Sequence, residues 1–132
     1  MRKVHNMNNE ILRQMRKIYY DKEHEYIDWM GYKITLENKP SYHHIVKAEN
    51  LKENNEDYTA TIDNGAYLGK ISHDLLHVIE KLDIDLYHTW NNLFLLINKS
   101  RKYPTEEMWS MIYSLQEKTN EKILEYKNTK KR

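Results

Sequence analysis

The sequence predicts an α+β protein that is mostly helical. Three observations predict it. Apolar residues recur at helical spacing in four stretches. A short period-two alternation, Tyr32, Ile34 and Leu36 against Lys33, Thr35 and Glu37, marks a half-buried strand between the first two. Turn signals at Asn38-Lys39-Pro40, Asp63-Asn64-Gly65 and Tyr103-Pro104-Thr105 separate the pieces. With 132 residues the chain is expected to form one domain, residues 1–132, with a core segment at about 41–82 and helical flanks at 7–20 and 85–126.

Met7, Ile11, Leu12, Met15, Ile18 and Tyr19 place the first helix at 7–20. Residues 26–36 follow as a hairpin turning at Gly31. Pro40 biases the chain toward an extended form ahead of a strand at Tyr42–Val46. The polar stretch Lys47–Ala60 reads as a loop, and Ala66–Leu68 as a second short strand. Ser72 is placed as the N-cap of a helix reaching about Leu82, with Leu75, Val78, Ile79 and Leu82 on its apolar face. A third helix ends near Ser100, its stripe being Leu86, Trp90, Leu93, Phe94 and Ile97. Thr105 opens a last helix to about Tyr126, packed through Met108, Trp109, Ile112, Leu115, Ile123 and Leu124.

Composition narrows the chemistry. No cysteine is present, so disulfides and thiolate-ligated zinc are excluded, and a metal must be held by His, Asp, Glu or Asn. No apolar run suits a membrane span, and Met1–Asn6 does not read as a signal peptide, so a cytoplasmic location is expected. Net charge is +1, which gives no bulk attraction to nucleic acid. Lys99, Arg101 and Lys102 form a basic cluster, and Lys127, Lys130, Lys131 and Arg132 a basic tail. Solvated helix ends account for both.

Four of the seven histidines fall in two places: His43-His44 on the first strand, and His73 with His77 on the second helix. Histidine is the commonest metal ligand and the usual general base near neutral pH. His73 and His77 stand at i and i+4 on one helix face, with Glu80 one turn further on. Such a pair can grip an ion, although chance surface neighbours share the spacing. His43 and His44, as strand neighbours, point to opposite faces. Asn64 alone is an ordinary turn residue before Gly65. Tyr67, Trp90 and Trp109 are read as core, and His88 as structural.

Taken in order, His43-His44, a long loop, Asn64, and His73 with His77 on a helix resemble the HNH endonucleases, the ββα-metal nucleases. The motif is most similar to that of colicin-type nuclease domains. The helical tail is similar to that of small HNH proteins of low-GC bacteria and phages. The resemblance covers about residues 41–80. It implies a ββα-metal motif flanked by an N-terminal helix and hairpin and two C-terminal helices. It also implies that His43, His73 and His77 bind one divalent ion (Mg, Mn, Ni or Zn). His44 would be the general base that activates water, and Asn64 would hold the loop that aims it. Lys47 and Lys70 would contact nucleic acid, DNA ahead of RNA, and a homodimer or a larger phage or bacterial complex is allowed. His43 stands where many members of the family have aspartate. An all-nitrogen site favours Zn²⁺ or Ni²⁺ in affinity, whereas carboxylates suit Mg²⁺.

Two other readings are carried forward. One is an inactive HNH scaffold that binds nucleic acid or a partner. The other is a zinc hydrolase of another substrate, built on His73-Asp74-Leu75-Leu76-His77, in which Asp74 stands where the zinc-protease motif needs glutamate.

Overall fold

The computed structural model describes residues 2–46 and 61–130. In chain order they form α1 (Arg2–Tyr19), β1 (Pro40–His44), β2 (Gly65–Gly69), α2 (Lys70–Leu82), α3 (Ile84–Ser100) and α4 (Glu106–Lys130). The fold is α+β and mostly helical, as expected. The expected loop at 47–60 lies outside the described residues, and Lys47 with it.

Helix α1 begins at Arg2 rather than Met7, since nothing in residues 2–6 breaks a helix. Among its described side chains, Leu12, Met15 and Tyr19 are buried. They recur at three- and four-residue spacing, which sets one face of α1 against the sheet.

The expected hairpin at 26–36 is a run of turns with a single β-bridge, Ile27 to Lys33. Gly31 does turn the chain, at φ +89°, a value costly for other residues. Side chains take up backbone donors and an acceptor that a ladder would need. The Asp28 carboxylate accepts from the N–H of Met30 and of Tyr32, both at 3.0 Å. Asn38 donates to Lys33 O at 2.9 Å, and its own N–H is held by Thr35 Oγ1. Leu36 is 85% exposed, so the alternation does not continue to it.

Strands β1 and β2 pair antiparallel, with His43 opposite Ala66 and His44 opposite Gly65. All five residues of β2 are buried, because α1 covers one side of the sheet and α2 and α3 pack around the rest.

Helix α2 begins three residues earlier than Ser72 would place it. Ser72 is fully buried inside the helix, and the N-cap is Gly69, which offers no side chain. The cap comes instead from the 28–38 turns. Asp28 Oδ2 accepts from Gly69 N at 2.8 Å, and Asn38 Oδ1 from Ile71 N at 2.8 Å. A Cβ on Gly69 would fall inside the Asn38 side chain. Two orphan donors of the helix start are thereby satisfied by distant residues. The buried face is Ser72, Leu76 and Ile79, while Val78 is 42% exposed. Of the face read through Leu75, Val78, Ile79 and Leu82, Ile79 is buried and Leu75 packs against the core, so the buried face is that one rotated toward Ser72 and Leu76.

Asp83 caps α3 by accepting from Leu86 N at 3.0 Å. The α3 stripe Leu86, Trp90, Leu93, Phe94 and Ile97 is buried throughout. Arg101 ends the helix in a left-handed conformation and pairs with Asp63. His88 is exposed on α3 rather than structural. Thr105 Oγ1 accepts from Met108 N at the start of α4. Ile112, Leu115 and Thr119 are buried in α4, and Leu124 is exposed. Trp90 Nε1 donates to Thr119 Oγ1 at 2.8 Å, which ties α3 to α4 inside the core.

Candidate metal centre

The register of β1 buries His43 and aims it at the helices, with 1% of the residue exposed. Three residues of α3 on one face, Tyr87, Asn91 and Phe94, form its seat. The His43 ring stands edge-on to Phe94 at 5.8 Å and to Tyr87 at 6.4 Å, and its Nε2 lies 2.8 Å from Asn91 Oδ1. His73 and His77 reach it from successive turns of α2. Ring centroids are 5.2 Å apart for His43–His73, 6.0 Å for His43–His77 and 4.8 Å for His73–His77. One ring nitrogen from each of the three lies within 4.8 Å of the others.

Each histidine is held through one nitrogen. Asn91 Oδ1 accepts from His43 Nε2, Ser41 Oγ meets His73 Nδ1 at 2.9 Å, and Glu80 Oε1 meets His77 Nδ1 at 3.2 Å. With a proton on each tethered nitrogen, lone pairs remain on His43 Nδ1, His73 Nε2 and His77 Nε2. Metal-binding histidines are oriented in this way, their second N–H given to a carboxylate or an oxygen.

Electrostatics agree with a ligand role. Burial pushes His43 down to about 3, against the opposing hydrogen bond of Asn91 and with the nearby His73, His77 and His44 adding to the fall. Burial likewise lowers His73 to about 4, with His77 as the next cause. Both rings are therefore neutral at pH 7, the form that binds metal.

Zinc–nitrogen bonds are about 2.0–2.1 Å, so ligands of one ion sit roughly 3–4 Å apart. The three ring nitrogens, up to 4.8 Å apart, stand slightly wider than that, and binding an ion would require His77, the exposed member, to move inward. Three imidazoles with outer partners fit a divalent ion of borderline softness.

His44 is not in this cluster. It is the last residue of β1, half-buried, with its ring edge-on to Tyr42 at 4.8 Å. Neighbouring residues of a strand face opposite ways, and the pair does so here. His44 remains close enough to disfavour a charge on His73.

Asn64 clasps the backbone just beyond His44. Its Oδ1 accepts from Val46 N at 2.8 Å, its Nδ2 donates to Val46 O at 2.9 Å, and its own carbonyl accepts from Ile45 N at 2.9 Å. Asn98 of α3 braces the same neck by donating to the carbonyls of Ile62 and Gly65. Lys70 is exposed at the start of α2 and is felt electrostatically by His73.

The chain matches no protein-family model, no curated protein and no solved structure.

Sequence reasoning identified the three clustered histidines but missed Ser41, Asn91 and Asn98. Asparagines seven residues apart beside a buried stripe, at 91 and 98, are the available signal: polar groups on the inner side of a helix need partners.

Proposed function

We propose that the protein is a metal-dependent endonuclease of the HNH type, hydrolysing phosphodiester bonds, with DNA the first substrate to test. One observation carries this reading. His43, His73 and His77 converge from a strand and the following helix, while Asn64 clasps the strand end that bears His44. The order β1, β2, α2 is the order a ββα-metal motif requires.

In this reading His43, His73 and His77 hold one divalent ion. When bound, the ion supplies Lewis-acid stabilisation of charge on the phosphate and the leaving oxygen. His44 would take the proton of the attacking water; because its ring faces away from His43, this requires the substrate to sit between the two, around the end of β1. The three-bond clasp of Asn64 fixes the backbone that aims this ring. Lys70 offers a cation to a neighbouring phosphate. General-base help is worth about 10²–10⁴-fold in rate.

The test is conversion of supercoiled plasmid to nicked and linear forms by purified protein with Mg²⁺, Mn²⁺, Ni²⁺ or Zn²⁺. Cleavage by the wild type should exceed that of His44→Ala by at least about a hundredfold. If no metal gives cleavage above the His44→Ala level, the endonuclease reading is wrong. Metal-dependent binding of nucleic acid without cleavage would mark the inactive-scaffold alternative.

A further inference from the structure

Beside the histidine cluster, a pocket of about 270 Å³ opens between α2 and α4, lined by Asp74, His77, Val78, Lys81, Leu82 and Tyr126. Its position is informative, because His77 belongs both to the candidate metal centre and to the pocket wall. Whatever extends from a group held at the centre on that side enters this space. We infer that the pocket receives the base of a nucleotide adjoining the phosphate held at the centre, so that the substrate is a strand unpaired at the point of cutting. The inference rests on the phosphodiesterase reading above.

The lining suits a base better than a second phosphate. Val78, Leu82 and the ring of Tyr126 supply apolar and aromatic surface, and stacking on an aromatic ring is how unpaired bases are commonly held. Val78 stands 42% exposed on a helix whose other side is packed, an apolar side chain that the core does not use. Lys81 is the one cation among the lining residues, and Asp74 is a carboxylate that would repel a phosphate set deep in the pocket. As an acceptor, Asp74 suits the N–H or O–H groups of a base or sugar, while Lys81 suits the next phosphate along the strand. The volume is below that of drug-sized pockets and matches one small ring system.

Lys122, one turn before Tyr126, reaches Asp83 at 3.7 Å, which links this part of α4 to the junction of α2 and α3. A base in a duplex could enter only by leaving its stack, which costs a few kcal/mol. Single-stranded or frayed substrate should therefore be preferred.

The experiment measures binding apart from cleavage. In the His44→Ala background loaded with Zn²⁺, a fluorescently labelled oligothymidylate and a blunt duplex of equal length are titrated by anisotropy. Adding Tyr126→Ala should weaken binding of the single strand about tenfold and of the duplex little, whereas Tyr126→Phe should retain it. Zn²⁺ affinity measured by chelator competition should be the same in all three proteins, which shows that the centre is intact. Equal single-strand affinity in Tyr126→Ala and its parent, or tighter binding of the duplex, overturns the inference. If the wild type cleaves nothing but this binding pattern holds, the nuclease reading falls and the nucleotide pocket stands.

Discussion

At the scale of single residues, Asn91 decides which nitrogen of His43 is available. It sits 48 residues away in sequence and accepts from Nε2 inside the core. Replacing it with alanine removes that acceptor and frees the ring to turn. Asn91→Ala should weaken zinc binding by about 10–100-fold in a chelator competition, the range found for outer partners of metal ligands. Asn91→Asp should retain binding, since a carboxylate accepts the same N–H. Burial of His43 and His73 also sets a pH dependence. Their folded values, about 3 and about 4, lie below the ordinary histidine value of 6.5. As pH falls below about 6.5, the unfolded chain takes up protons that the folded protein refuses. The metal-free protein should therefore lose stability from that point toward pH 4 and change little above pH 7. The slope is at most about 1.4 kcal/mol per pH unit for each histidine. Urea midpoints at pH 7.5 and pH 5.5 check this, and equal midpoints would contradict it.

At the scale of elements, α2 is placed by residues that do not belong to it. Asp28 and Asn38 cap its start, and Asp28 is fully buried while doing so. Burial pushes the Asp28 carboxyl up, and the N–H groups of Gly69, Tyr32 and Met30 oppose the shift. Asp28→Ala leaves these three donors without their acceptor and should destabilise the protein by about 3 kcal/mol in urea unfolding. The spacing of His73 and His77 revealed a helix and the face that carries them, because both facts follow from a local period of 3.6 residues. The start of that helix was misplaced at Ser72, because a capping side chain supplied from thirty or more residues away leaves no local mark. The alternation at Tyr32, Ile34 and Leu36 forms no ladder for a related reason: Asp28 accepts from the N–H groups of Met30 and Tyr32, and Asn38 donates to the Lys33 carbonyl, groups that a strand would have used.

At the scale of the whole molecule, α3 links the core to the site. Trp90 joins it to α4, Asn91 to His43, and Asn98 to the neck below Asn64. The stripe that buries α3 was legible from its apolar spacing. The use of its asparagines was not, because hydrogen bonds between distant segments depend on the packed fold. Since the site joins β1 to α2 across this core, an ion bound there should stabilise the whole fold. Zn²⁺ at a hundred times its dissociation constant should add about 2.7 kcal/mol. Thermal unfolding should show a clear rise in Tm, absent in His43→Ala, and a Tm indifferent to metal would speak against a shared site.

The central claim is that His43, His73 and His77 form a metal centre and that His44 stands outside it. Calorimetric titration of Zn²⁺ into the purified protein tests this most directly. One ion should bind per chain, with affinity reduced at least tenfold in His43→Ala, His73→Ala and His77→Ala and kept in His44→Ala. Absence of binding by the wild type, or a loss in His44→Ala as large as in the other three, would contradict it.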